Sequence, residues 1–277
     1  MNQYERMVKG LLYDPNATEI MDKQVPFQDK LWEFNKLKPS DYEKKQQYMH
    51  EVFAECGDNC YIELPFRANW GGHHLHFGSG IYANANLTLV DDGHIYVGDK
   101  VMFGPNVIIS TASHPVNPEL RARGLQYNKD VKIEENAWIG AGAIILAGIR
   151  IGKNSVIGAG SVVTHDIPDN VIAVGNPCRI LREISERDRE YFYKEERIDW
   201  ENLEEEKSMN IEWIDGFEIK VINTNDEVVI SANKEGLESL ANDLLELAKG
   251  NVGDHIHYDE YNSLTEGSTQ LIIEKVE

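Results

Sequence analysis

Residues 133–163 read IEENAWIGAGAIILAGIRIGKNSVIGAGSVV. An aliphatic side chain returns at every sixth position: Ile133, Ile139, Ile145, Ile151, Ile157 and Val163. Glycine follows at 140, 152 and 158, and Ala137, Ala143, Ser155 and Ser161 place small side chains between them. A period of six matches neither the 3.6 of an α-helix nor the 2 of a half-buried strand. It specifies a parallel β-helix in which each six-residue repeat forms one flat face of a coil. Such a coil is a narrow, rigid prism, and sites arise on it where insertions break the rhythm.

The rhythm extends upstream. Leu75, Ile81 and Leu87 share one frame, and Ile95, Val101 and Val107 share a second. Residues are therefore inserted near 90–93 and, in larger number, between 109 and 131. A change of phase with intact coil on both sides is a loop thrown outward. Asp166-Ile-Pro-Asp-Asn170 is expected to close the coil, and Gly175-Asn-Pro-Cys-Arg179 to form its exit turn. Ahead of the coil, helices are expected over 3–12 and 27–34. A third starts after Pro39 at a capping box, Ser40-Asp-Tyr-Glu43, whose side chains satisfy free N–H groups. It buries Tyr42, Met49, Val52, Phe53 and Cys56 and stops at Gly57. Residues 181–206 are charged and helix-prone, with a solvated acidic run at 204–206.

From 209 the pattern changes again. Strands are expected over 217–222 and 228–231. A helix capped by Asn233 carries Leu237, Leu240, Leu244 and Leu247 on one face and ends at Gly250. Strands follow over 255–260 and 270–276. The chain thus divides into an N-terminal helical segment (1–57), a β-helix domain (58–183), a helical linker (184–208) and a small α+β accessory domain (209–277). An accessory domain of this size has little core of its own.

The 277 residues carry a net charge of −20, of which −14 falls in residues 201–277. Neither part has the basic surface of a nucleic-acid binder. No apolar run approaches the roughly 18 residues of a membrane span. The start, MNQYERMVKG, lacks the basic-then-apolar order of a signal peptide. Cys56, Cys60 and Cys178 are odd in number, and no second Cys or His pair is spaced to complete a zinc site with Cys56 and Cys60. They read as reduced thiols of a cytoplasmic protein.

The large insertion contains Ser110-Thr-Ala-Ser-His114-Pro115. A histidine on a loop mounted on a rigid scaffold is well placed for proton transfer. Tyr82-Ala-Asn84-Ala-Asn86, Asp91-Asp92-Gly93 and Met102-Phe-Gly-Pro-Asn106-Val107 lie at turns of the coil. With Trp138-Ile-Gly140, Gly175-Asn-Pro-Cys-Arg179 and Ala68-Asn-Trp-Gly-Gly-His-His-Leu-His-Phe-Gly78, they resemble the maltose/galactoside O-acetyltransferases of the hexapeptide-repeat superfamily. The similarity spans about residues 3–200. It implies a left-handed β-helix, whereas the general crossover rule favours the right hand. It further implies acetyl-CoA as co-substrate without a metal, a sugar hydroxyl as acceptor, and a homotrimer with sites at subunit interfaces.

A sugar hydroxyl is a poor nucleophile at neutral pH, so a base must take its proton as it attacks the thioester. By resemblance that base is His114, and a carbonyl or carboxylate should hold its other ring nitrogen. The oxyanion needs a donor, and the Ala141 N–H matches the family position beside the thioester. Asn84, Asp92 and Asp14 match acceptor contacts. Ala159 and Thr164 match contacts to pantetheine and adenine, and Arg179 and Arg182 match residues near the nucleotide phosphates. No acyl-enzyme is expected, since Cys178 sits in the exit turn. Three positions depart from the pattern. His165 stands where the family often has Lys, Gln24 stands near an Arg of some members, and Trp70 replaces a small or hydroxyl side chain.

Two other readings remain open. A metalloenzyme like the γ-carbonic anhydrases, on the same scaffold, needs three histidines on zinc, and neither His114 nor His94 has the neighbours. A binding protein would make the acidic C-terminal unit the active part. Residues from 217 onward resemble small immunity proteins of bacterial toxin systems, which implies a protein partner for 209–277. His255-Ile-His257-Tyr-Asp259 alternates along one strand face, as metal ligands or as an ordinary polar surface.

Overall fold

Three hexads bring the chain once around the prism. In the computed structural model, which describes residues 1–200, 213–224, 227–249, 252, 255–259 and 263–276, Trp138 pairs with Val156 and Ile144 with Val162, an 18-residue step. Short parallel strands stack into three faces. The first holds Glu55–Cys56, Leu75–Phe77, Ile95–Val97, Val131–Ile133 and Arg150–Ile151. The second holds Tyr61–Ile62, Tyr82–Ala83, Met102–Phe103, Trp138–Ile139, Val156–Ile157 and Val171–Val174. The third holds Arg67–Ala68, Thr88–Val90, Ile108–Ser110, Ile144–Ile145 and Val162–Val163. The fold is a left-handed parallel β-helix of about 6 turns.

The hexad aliphatics enter the prism and form one continuous core. Corners are made by residues that tolerate a left-handed backbone. Asn86, Asn106, Gly142 and Gly160 stack at the corner between the second and third faces with φ of 63°, 60°, 68° and 69°. Nothing lies within reach of a Cβ at Gly142 or Gly160, so the positive φ alone selects glycine there. Insertions appear as longer steps. Tyr82 to Met102 is 20 residues and Met102 to Trp138 is 36. The first excess falls in the turn at 90–94 and the second in the excursion at 111–130. Arg179–Glu183 turns back antiparallel on Val171–Val174 and ends the second face.

The N-terminal helices α1 (Gln3–Val8), α2 (Thr18–Phe34) and α3 (Tyr42–Val52) differ from expectation at their ends. The capping box lies at Asn2 and Glu5 on α1. Ser40 does not cap α3. Asp41 occupies the cap position, and its carboxylate instead closes the preceding turn on the Lys38 N–H. Helix α2 runs through Pro26. Proline removes one helical hydrogen bond, but Ile20, Leu31 and Phe34 are buried along α2 and hold it together. Helix α3 stops at Val52, because Glu55–Cys56 is taken into the first face opposite His76 and Phe77. The excursion holds one short helix, α4 (Pro118–Ala122), capped by Asn117.

Two compact units result, Met1–Arg189 and Glu190–Glu277. In the described part of 184–208 only α5 (Arg187–Glu190) is helical, and Tyr191–Tyr193 pairs with Glu196–Arg197 as a hairpin. The acidic run at 204–206 and Gly250 lie outside the described residues. In the second unit Ile219–Asn223 pairs with Val228–Ala232, and His255–Tyr258 pairs with Leu271–Glu274. Asn233 caps α6 (Lys234–Lys249) by accepting from the Gly236 N–H. The buried face of α6 is Gly236, Ser239, Leu240, Asp243 and Leu247, while Leu237 and Leu244 are exposed. Small and polar residues replace two of the four expected leucines because Gly236 abuts the Glu218 carbonyl and Asp243 meets the buried Tyr258 hydroxyl. Among the described residues no helix is long and apolar enough to cross a membrane.

Candidate active site

The excursion leaves the third face after Ser110 as a two-rung hairpin, with Ala112 opposite Asn128 and Ser113 opposite Tyr127. His114 is the next residue. It is exposed, and its Nδ1 lies 2.8 Å from the Leu125 carbonyl oxygen. A carbonyl only accepts, so Nδ1 carries the proton in neutral imidazole and Nε2 presents a lone pair outward. That is the form a general base requires.

The returning strand is gripped from below by the N-terminal segment. The Tyr13 N–H donates to the Gln126 carbonyl at 2.9 Å, and the Gln126 N–H donates to the Tyr13 carbonyl at 3.0 Å. The buried Tyr13 hydroxyl bonds Asn128 Oδ1 at 3.1 Å and accepts from Gln126 Nε2. Asn128 Nδ2 in turn donates to the Asp92 carbonyl at 2.9 Å. Asp14 follows Tyr13, and its carboxylate accepts from the Asn16 N–H. His114, Asp92 and Asp14 therefore share one scaffold at the end of the third face. Asp92 is buried, its carboxylate accepting from Asn69 Nδ2 at 3.0 Å and Trp70 Nε1 at 3.4 Å. Its neighbour Asp91 is buried deeper and accepts from the Trp70 and Gly72 N–H groups at 2.8 and 3.0 Å. Burial pushes the Asp91 carboxyl up to about 7, and burial also pulls the His74 imidazole, bonded to the Asp91 carbonyl, down to about 4.

The other edge of the third face gathers a second group. Asn84, Ala141 and Ala159 lie at the corner where the second face ends, Asn84 accepting from the Ala85 N–H at 2.8 Å. A Cβ on Gly104 would come within 2.6 Å of the Ala141 nitrogen, and one on Gly140 within 2.6 Å of the Ala159 nitrogen. Glycine is what lets these coils stack so closely. Neither the Ala141 nor the Ala159 N–H donates to another described residue. Thr164 sits two coils beyond the excursion, its hydroxyl 2.9 Å from His165 Nδ1. Arg179 donates to the Cys178 carbonyl. The Arg182 fork is taken by Asp188 through two 2.6 Å bonds, which hold the Asp188 carboxyl well below the usual range.

Asn84, Ala141 and Ala159 thus lie on one edge of the third face, His114, Asp92 and Thr164 on the other, and Arg179 and Arg182 on the strand that ends the second face. Residues 6–57 match the maltose acetyltransferase hexapeptide capping motif, and residues 130–165 match six bacterial transferase hexapeptide repeats. A galactoside O-acetyltransferase of Lactococcus lactis is 52% identical over 199 residues, covering 72% of this chain and 96% of its own. This chain belongs to the maltose/galactoside O-acetyltransferase family. Among solved structures of such acetyltransferases, a galactoside acetyltransferase in complex with coenzyme A superimposes with a TM-score of 0.68 at 42% identity, over 72% of this chain and 99% of its own. A hexapeptide-repeat acetyltransferase of Vibrio cholerae complexed with acetyl coenzyme A gives 0.61 at 30%, over 67% and 100%. Residues 227–276 match the family of immunity protein 32.

What this acetyltransferase sequence did not reveal is the support around its histidine. Tyr13, Gln126 and Asn128 carry no motif, and Tyr13 lies 113 residues from Gln126. The one local signal was the position of Tyr13 beside Asp14. Among the described residues no three His, Cys, Asp or Glu side chains form a metal site. His255 and His257 stand with ring centres 5.0 Å apart on an exposed strand face.

Proposed function

We propose that this acetyltransferase moves the acetyl group of acetyl-CoA directly onto a hydroxyl of a galactoside-, maltose- or glucose-type sugar. The carrying observation is the Leu125 carbonyl on His114 Nδ1, which leaves Nε2 free to take the hydroxyl proton. The hydroxyl oxygen attacks the thioester carbonyl, and the oxyanion is met by the outward Ala141 N–H. Collapse releases the CoA thiolate, which recovers the proton from His114. Asp14, Asp92 and Asn84 hold the sugar; Ala159, Thr164, Arg179 and Arg182 hold CoA. Arg182 exchanges Asp188 for a phosphate in doing so.

Asn84, Ala141 and Ala159 are separated by a face from His114 and Asp92 in one chain, which fits a site shared between subunits. The second face presents Tyr82, Met102 and Trp138, 39%, 47% and 51% exposed, as an apolar column suited to a homotrimer. Three free thiols suit the cytoplasm. We take 58–183 as the catalytic β-helix and 209–277 as an accessory α+β unit. The match of 227–276 to an immunity family favours a protein partner for that unit.

CoA release from acetyl-CoA with a panel of sugars, read with a thiol reagent, tests the activity and names the acceptor. Release no faster with any sugar than without would count against it. His114→Asn should lower kcat by about 10²–10⁴ while CoA still binds; an active variant removes the base assignment.

A further inference from the structure

We propose that Tyr13 is a positioning residue for His114: bridged to Gln126 beside the excursion hairpin, and with its hydroxyl on Gln126 and Asn128, it fixes the Leu125 carbonyl that sets the histidine tautomer. The proposal rests on His114 acting as the base. A two-rung hairpin is marginal alone, and this one carries an exposed loop beyond its last rung. The carbonyl that receives His114 Nδ1 belongs to the residue before Gln126. Gln126 is pinned on both backbone groups by Tyr13, at 2.9 and 3.0 Å. The phenol adds a second grip, sitting between Asn128 Oδ1 and Gln126 Nε2 with only 1% of the residue exposed.

The phenol itself does no proton chemistry. Burial, and then the nearby Asp92 charge, raise its pKa beyond the ordinary tyrosine value, so it stays neutral. Its action is geometric. Asn128 also holds the Asp92 carbonyl, so one hydroxyl ties the base, through Leu125 and Gln126, to the turn that carries Asp92.

Tyr13→Phe keeps the ring and removes only the hydroxyl. Loosening the Leu125 carbonyl lets Nδ1 and Nε2 share the proton. The expected result is a kcat lowered about tenfold and an unchanged KM for acetyl-CoA. Imidazole ¹⁵N shifts of His114 should change from Nδ1–H alone to a mixture of tautomers. Tyr4→Phe, on α1 outside this network, is the control and should change none of these. A Tyr13→Phe protein with wild-type kcat and tautomer overturns the proposal, as does a loss of kcat equal to that of Tyr4→Phe. Full activity of His114→Asn instead removes the base assignment, and the two failures are told apart by the two variants.

Discussion

At the scale of single residues, the proposed chemistry rests on groups that have no side-chain signature. The role proposed for Ala141 needs only its backbone N–H, and its methyl group is incidental. The coil suggests a way to remove that donor, because Pro105 occupies the equivalent position one coil earlier. Ala141→Pro should fold normally and lower kcat by about 10²–10³, the usual cost of losing one oxyanion donor. The KM for acetyl-CoA should barely move. Steady-state kinetics beside a thermal unfolding curve check this, and a folded variant with undiminished kcat would mean that the oxyanion finds its donor elsewhere. The same reasoning explains why Ala141 was placed by resemblance alone: a backbone donor has no composition or period. His114 was visible because a histidine in a break of the hexads is conspicuous, whereas the Leu125 carbonyl that determines its tautomer was not.

At the scale of elements, the hexads were legible because their period is the local geometry itself: each aliphatic points inward at one face, whatever lies elsewhere in the chain. The phase shifts located both insertions for the same reason. Helix ends were legible only in part. Cys56 followed the periodicity of α3 but was claimed by the first face, a pairing with residues 76–77 that no local pattern announces. The two turns at 69–74 and 90–94 are joined in the same long-range way, by Asp91 and His74, and this joint makes stability depend on pH. His74 is depressed to about 4 from 6.5, mainly by burial. Its contribution is therefore complete above pH 6.5 and is lost as pH falls towards 4. Asp91, raised to about 7 by burial, acts oppositely: its contribution is complete below pH 3.8 and is lost as pH rises towards 7. His74→Asn isolates the first effect. Between pH 6.5 and 4 the wild type should lose on the order of 3 kcal/mol relative to the variant. Denaturant melts of both proteins across that range check it, and a constant difference would show that His74 titrates normally.

At the scale of the whole molecule, the chain joins a unit whose prism core is continuous from the N-terminal helices to Cys178 to a second unit with its own core of Ile219, Val221, Leu240, Leu247, Ile256, Tyr258 and Leu264. The relative from Lactococcus lactis is matched over 96% of its length by 199 residues, 72% of this chain, so the family's extent is shorter than the whole chain. The residues assigned to base, oxyanion, acceptor and CoA all lie between Asp14 and Arg182. A chain of residues 1–200 should therefore fold cooperatively and keep kcat/KM for acetyl transfer within about twofold of the full chain, as expected when each domain has its own core. Comparing the two chains by unfolding and by CoA release on the same acceptor tests this directly. A large loss of kcat in a folded truncation would make the second unit part of the catalytic assembly. Retained kcat leaves it free for the proposed protein partner, and with −14 of the −20 net charge in residues 201–277 a basic contact surface on that partner would complement it.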